Sequence, residues 1–336
     1  MRKGDTLCFA KPPVIGAFAA VGGKKEGEGP LKDGFDQLYE DNYLAQDNWE
    51  KAERALQSAC AGHLLRKGQV TRAQIDLAFA GDLQAQCTAS GYAMRDLNVP
   101  FAGLYGACST MAEALGLAAC LASAGLGGNI LAMTSSHFCA AERQFRTPLD
   151  YGGKRTPTAQ WTATAAGGCL VRPVGEGVKI KAVTFGRVRD YEVSDINNMG
   201  AAMAPAAAHT LLQYFRDTGT GPEDFDAVYT GDLGQVGSAL LARLLAAEGL
   251  ELARHRDCGL LLYDQADQQV QAGGSGAGCS ASVLAAHILP QLLSGRETRV
   301  LFMATGALMS QTTFLEKETI PGIAHLVELE SPAVRG

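Results

Sequence analysis

The sequence predicts a duplicated α/β fold, in which two α/β halves form layered sheets with helices packed against them. Three observations predict it. Residues 75–83 read IDLAFAGDL and residues 225–233 read FDAVYTGDL, so Asp76, Gly81, Asp82 and Leu83 recur as Asp226, Gly231, Asp232 and Leu233 at a constant separation of 150 residues. Ala107-Cys108-Ser109 recurs as Gly278-Cys279-Ser280, and the strand-like ILAMT at 130–134 recurs as VLFMA at 300–304. The order of strand, Gly-Asp loop, Cys-Ser turn, helix and strand is the same in both copies, which chance matching of Ala- and Gly-rich segments does not explain. Duplicated α/β halves bury their apolar faces by layering helices on sheets. The division falls in the loop 172–177, which holds Pro173, Gly175 and Gly177, giving halves 1–174 and 175–336.

Each element follows from its own pattern. Residues 22–30, GGKKEGEGP, read as a solvated loop. From 49 to 66, Trp49, Ala52, Leu56, Ala59, Cys60, His63 and Leu64 recur at helical spacing, and 203–215 is the matching helix of the second half. In each GDL copy a short apolar run enters a Gly-Asp turn, the signature of a buried strand ending in a loop. Gly103 and Gly106 break the strand before Cys108, and Ser109 onward reads as an Ala/Leu-rich helix. Residues 138–161 read as a long irregular stretch, and long loops inside compact domains are often functional. Residues 240–250 make a further short helix.

Composition excludes several function classes. The chain has 336 residues, 47% of them hydrophobic, 19% charged, with net charge -6. It is large enough for a sizeable core. An acidic chain lacks the positive field that nucleic-acid binding needs. No segment reaches the roughly 18 apolar residues of a membrane span. Residues 1–10 do not read as a secretory signal. The expectation is an intracellular protein whose membrane contact, where it has any, is peripheral. Nine cysteines, an odd number with no CxxC pair, suit free thiols in a reducing compartment. No HExxH, EF-hand or P-loop pattern marks a metal or nucleotide cage.

Cys108 carries the chemistry. A thiol at a helix start meets the positive end of the helix dipole and free backbone N–H groups, which favour the thiolate. The same N–H groups can hold an oxyanion or a carboxylate. GACST before an Ala-rich helix, in a duplicated chain of this size, resembles the nucleophile turn of thiolases and ketoacyl synthases. LFMATGALMS at 301–310 is similar to the closing Gly-rich strand and turn of that superfamily. The resemblance implies a thiolase-like α-β-α-β-α fold. It also implies two second-half partners for the thiolate, His with His or Asn. The first position falls on Gly231-Asp232 and the second near Ser275, so both partners are missing. A carboxylate beside a thiol raises its pKa and opposes nucleophilic use. The expectation is therefore a site without catalysis and a pocket that persists.

More specifically, GLYGACSTMAEALGLAA (103–119), LDYGGKRTPTAQWTATAAGG (149–168), NNMGAAMAPAAA (197–208) and the two GDL loops resemble the stage V sporulation protein AD family of spore-forming bacteria. That resemblance implies binding of pyridine-2,6-dicarboxylate (dipicolinate), with calcium where it travels as the chelate. It also implies uptake of the compound into the developing spore through membrane proteins encoded alongside, at the forespore or spore inner membrane. A homodimer is usual for thiolase-like relatives.

The residues suit a planar dianion. Arg143, Arg146, Lys154 and Arg155 lie in one stretch, and arginine clamps carboxylates through paired hydrogen bonds. His137 can donate to a carboxylate, Trp161 or Tyr151 can stack on the ring, and Cys108, Asp232 and Ser275 complete the candidate site. Each has a plainer alternative. The cations suit a solvated or dimer-facing loop, His137 a structural histidine, Trp161 the core and Asp232 a turn cap. Asp232 or Glu142 is the hard ligand available should the protein hold calcium directly. His63, His209, His255, His287 and His325 show no ligand spacing. Two other functions compete: an acyl-CoA acyltransferase using Cys108 with His137 as base, and a structural adaptor for membrane transport partners.

Overall fold

The computed structural model describes residues 1–146 and 155–333. Ten strands form the path of its large sheet: β1 (Val14–Gly22), β2 (Leu77–Gly81), β3 (Phe101–Gly103), β4 (Ile130–Ser136), β5 (Ala165–Arg172), β6 (Val178–Thr184), β7 (Ala227–Thr230), β8 (His255–Asp257), β9 (Arg299–Ala307) and β10 (Gly322–Glu330). Their spatial order is β8-β7-β9-β10-β6-β1-β5-β4-β2-β3. The first half reads β1-β5-β4-β2-β3 outward from the middle, and the second reads β6-β10-β9-β7-β8. The duplication seen in the letters is thus a duplication of strand order. β2, β3 and β4 pair in parallel, as do β7, β8 and β9. The halves join where β1 and β6 pair antiparallel, Ile15 opposite Val178 and Val14 opposite Lys179.

The helices that position the site are α1 (Trp49–Gly68), α2 (Thr88–Leu97), α3 (Thr110–Ser123), α4 (Phe138–Phe145), α5 (Met199–Thr218), α6 (Gly234–Ala247) and α7 (Ala277–Val283). α1 covers the outer face of the first half-sheet, and α5 covers that of the second. α3 and α7 lie between the two half-sheets, completing helix-sheet-helix-sheet-helix layers. α3 is rich in Ala and Leu with one Gly, and α7 is built from Ala, Gly, Ser and Cys with one Val; the small residues let the backbones approach. A Cβ on Gly167 of β5 would stand 2.2 Å from the Ala281 carbonyl oxygen of α7. β4 and β7 are buried along their whole length, as expected of parallel strands covered on both faces.

The repeated aspartates have repeated jobs. Asp76 Oδ2 accepts from the backbone N–H groups of Gly128 (2.6 Å) and Asn129 (3.0 Å), just before β4. Asp226 Oδ2 accepts from those of Thr298 (2.6 Å) and Arg299 (3.1 Å), entering β9.

Three expectations are corrected. The 22–30 segment is not simply solvated: it holds a short helix, Lys24–Gly27, and a fully buried Glu26 that accepts from the Thr164 N–H (3.0 Å) and the Tyr263 hydroxyl. The 138–161 stretch is not irregular at its start, because Phe138–Phe145 forms α4 with His137 as its N-cap. The 240–250 helix begins earlier, at Gly234, and ends at Ala247. All nine cysteines are unpaired thiols. Among the described residues no helix is long and apolar enough to cross a membrane.

Candidate functional site

A cavity of about 290 Å³ opens where the two halves meet. The first half contributes Leu83, Tyr105, Ala107, Cys108, Gln144, Phe145 and Thr162, and the second contributes Met199, Ser275, Ala307, Leu308, Met309, Ser310 and Thr313. Local backbone places Cys108 at its floor. Ala107 turns with φ of 53°, in the left-handed region that costs a non-glycine residue about 1 kcal/mol. A short turn, Ala107–Ser109, then leads into α3. β9 presses on this elbow at Gly306, where a Cβ would lie 2.8 Å from the Gly106 carbonyl oxygen. Only glycine allows that approach.

Beneath the thiol lies a closed polar cluster. Cys108 Sγ is 3.9 Å from Ser275 Oγ. Asp232 Oδ2 accepts from the Ser275 hydroxyl (2.8 Å) and the Gly276 N–H (3.0 Å), and its Oδ1 accepts from the Thr305 hydroxyl (2.8 Å). Gln160 Nε2 donates to the backbone oxygens of Asp232 (2.7 Å) and Gly274 (2.9 Å). Asp232 is fully buried, and desolvation raises its pKa against the lowering effect of these donors. Behind it Asp257, also buried, accepts from Thr230 Oγ1 (2.6 Å) and from the N–H groups of Leu233 (2.8 Å) and Gly234 (3.0 Å). Burial, with the Asp232 charge adding to it, pushes Asp257 up to about 6.

The helix-start argument for a thiolate at Cys108 is overturned by this setting. Burial first, and the Asp232 charge second, push the thiol well above its ordinary pKa. The Ser275 hydroxyl and the Gly276 N–H oppose that shift and do not reverse it. The superfamily resemblance implies a base at Gly231-Asp232; at Gly231 a Cβ would lie 3.0 Å from Ala304 Cα and 3.1 Å from the Thr305 nitrogen. A side chain there would be tight against the β9 backbone, which would have to give by a few tenths of an ångström.

The structure brings together Cys108, Ser275 and Asp232, and does not bring the other five expected residues to the cavity. His137 is buried at the start of α4: its Nε2 lies 2.7 Å from the Asn42 carbonyl oxygen, and its Nδ1 accepts from the Ala140 N–H (3.5 Å). Both ring nitrogens are engaged, and burial lowers its pKa. Arg143 pairs with Glu50 and lies over the Trp49 ring. Arg146 and Arg155 both pair with the buried Glu142, which also accepts from the Thr162 hydroxyl (3.0 Å). Trp161 stacks on Phe138 with centroids 4.0 Å apart, beneath Lys25 and Arg155. For the three arginines the reason is a carboxylate within reach that pairs with the guanidinium, while His137 is held by backbone groups and Trp161 by ring stacking. Lys154 and Tyr151 lie outside the described residues. Glu142 is committed to two arginines and Asp232 to three donors, so neither presents free oxygens to calcium. Among the described residues, no group of three or more His, Cys, Asp or Glu is placed to hold a metal ion.

Sequence reading missed the apolar walls. Leu83 stands in the GDL repeat, Met199 in NNMGAAMAPAAA and Leu308 to Ser310 in LFMATGALMS, so the signal lay in the segments already singled out. Gln160 and Thr305 also lie in singled-out segments, 149–168 and 301–310, but their role depends on partners distant in the chain.

Comparison with known proteins follows the same lines. The family model described as Stage V sporulation protein AD matches residues 3–330. The Stage V sporulation protein AD of Bacillus subtilis (strain 168) is 43% identical over 327 residues, covering 97% of this chain and 96% of that protein. Among solved structures, 3-oxoacyl-[acyl-carrier-protein] synthase III from Aquifex aeolicus superposes with a TM-score of 0.59 at 13% identity, covering 95% of this chain and 99% of that one. Cerulenin-bound Xanthomonas campestris OleA superposes with a TM-score of 0.62 at 13% identity, covering 98% and 99%. At such identities the likeness shows the fold alone, which is thiolase-like.

Proposed function

The chain belongs to the stage V sporulation protein AD family, and on that premise we propose that the cavity is a non-catalytic binding site for dipicolinate, free or as its calcium chelate, serving uptake into the developing spore. The observation that carries the reading is the thiol's neighbourhood. Cys108 faces Ser275 and a buried carboxylate, and its pKa is raised. A nucleophilic cysteine needs a base or a lowered pKa, and this one has the opposite. What persists is an enclosed space of the kind that holds small molecules. Tyr105 and Phe145 bring aromatic rings to the lining, and Gln144, Ser310 and Thr313 bring polar groups. Calcium arrives with the ligand. The protein acts at the forespore membrane through membrane proteins encoded alongside it.

Calorimetric titration of the full chain with dipicolinate, with and without calcium, tests this. Saturable heat is expected, and it is expected to vanish when Ser275→Phe fills the floor. No heat under either condition overturns the reading. An acyltransferase reading keeps one observation in its favour, the cysteine itself at the elbow. Incubation with acetyl- and longer acyl-CoA donors separates the two: no acyl mass is expected on Cys108, and mass gained by the wild type and not by Cys108→Ala would establish the enzyme instead.

A further inference from the structure

We infer that Arg155 is a positioning residue for the cavity floor, acting through Gln160 and Glu142 and never touching the ligand itself. This rests on the reading of the cavity as a ligand site. The guanidinium is held as a plate: its centre lies 4.9 Å from the Phe138 ring centroid and 5.2 Å from that of Trp161. Trp161 and Thr162 pair in parallel with Gly274 and Ser275, so the ring that Arg155 lies against belongs to the strand beside the floor. From that plate the side chain reaches two ways. Nη2 meets Glu142 Oε1 at 2.9 Å, and Nη1 donates to the Gln160 carbonyl oxygen at 2.6 Å. Gln160 then fixes the backbone of Asp232 and Gly274 through its amide.

Two short paths therefore lead from Arg155 to the site. One runs through Gln160 to the Asp232 and Gly274 backbone, next to Ser275. The other runs through Glu142 to the Thr162 hydroxyl, and Thr162 is itself a cavity wall. Glu142 also carries Arg146, whose Nη1 donates to Asn197 Oδ1 at 2.9 Å. Asn197 leads into α5, whose first residue, Met199, forms the facing wall. A planar fork with five donors can stack and bond in two directions, whereas a lysine ammonium on a flexible stem cannot. The role needs the fork's shape and not only its charge, and that separates it from a direct contact with an anionic ligand.

The test uses the full chain, dipicolinate as ligand and iodoacetamide as a probe of Cys108, with Arg155→Lys, Arg155→Met and Gln160→Leu. Lysine is expected to fail as methionine does, each weakening dipicolinate about tenfold, the middle of the range for members of one hydrogen-bond network. All three variants are expected to alkylate faster at Cys108, since a loosened floor admits water to the thiol, while melting temperatures stay near the wild type. Arg155→Lys with wild-type affinity overturns the inference, because charge alone would then suffice. Unchanged Cys108 alkylation in all three variants overturns it as well. If the wild type gives no heat with dipicolinate, the ligand reading fails and the alkylation rates still decide the positioning role. If Arg155→Met does not fold, the lysine and Gln160 variants decide it.

Discussion

Glu53 and Asp82 are two carboxylates sealed from water in the first half, close enough for the Asp82 charge to act on Glu53, and among the described residues neither is in a salt bridge. Glu53 accepts from Ser135 Oγ (2.9 Å) and Gln84 Nε2 (2.7 Å), and Asp82 accepts from the N–H groups of Gln84 (2.8 Å) and Ser90 (2.8 Å) and from the Ser90 hydroxyl. Burial, then the Asp82 charge, pushes Glu53 up to about 8. The folded state therefore holds a proton that the unfolded chain releases above the ordinary carboxyl range of about 4.3. A raised pKa contributes stability that is present below the unfolded value and lost as pH rises through the folded one. Urea midpoints of the wild type are expected to fall between about pH 5 and pH 8. Those of Glu53→Gln, which cannot ionise, are expected to fall less, so the gap moves in the variant's favour as pH rises. A gap that stays constant with pH would refute the assignment. The same scale shows where sequence reading stopped. Cys108, Asp232 and Ser275 were legible because each sits at a turn marked by Gly neighbours. Arg146 and Arg155 were misplaced because Glu142, which claims them, sits in a stretch that reads as irregular and itself reads only as a calcium ligand.

At the scale of elements, the strands of the repeated segments were legible, whereas β1, β5, β6, β8 and β10 and the helices α2 and α4 were not. β2, β4, β7 and β9 announced themselves as short apolar runs ending in Gly-Asp, Ser or Thr-Gly, since a strand covered on both faces carries an unbroken apolar code. α4 was hidden by the Arg, Pro and Gly residues that follow it, although His137 caps it and Ala140, Ala141 and Phe145 give it a buried face. The duplicated Asp76 and Asp226 make an internal control for how elements are joined. Each ties two backbone N–H groups ahead of a long strand. Replacing either by alanine hands exposed or part-buried donors to water, at an expected cost of about 0.5–1.5 kcal/mol for each variant. Because the two lie in opposite halves with no shared partner, the double variant is expected to cost the sum within about 0.5 kcal/mol. Denaturant unfolding of the three variants checks this, and a double variant no worse than either single would show that the loops are coupled through the β1–β6 join.

At the scale of the whole molecule, two similar halves do not make two independent bodies. α3 belongs to the first half by sequence, yet it packs on strands of both half-sheets. On its second-half side a Cβ at Gly116 would stand 2.8 Å from Val183 Cγ1 and 3.1 Å from the Phe185 ring. Removing the second half would expose an Ala- and Leu-rich helix that evolution left without a polar face, at roughly 25 cal/mol for each Å² of apolar surface returned to water. Residues 1–174 expressed alone are therefore expected to lack a cooperative thermal transition and to bind a hydrophobic dye. Co-expression with 175–336 is expected to restore both solubility and the transition. A cooperatively unfolding, monomeric 1–174 fragment would show that the halves are true domains. The cavity gives this architecture its functional consequence. Its walls come from both halves, so a ligand seated there binds only the joined form and adds RT ln(1 + [L]/Kd) to the stability of the join. Dipicolinate is thus expected to raise the melting temperature of the full chain and of the co-expressed halves alike, and to leave either half alone unaffected.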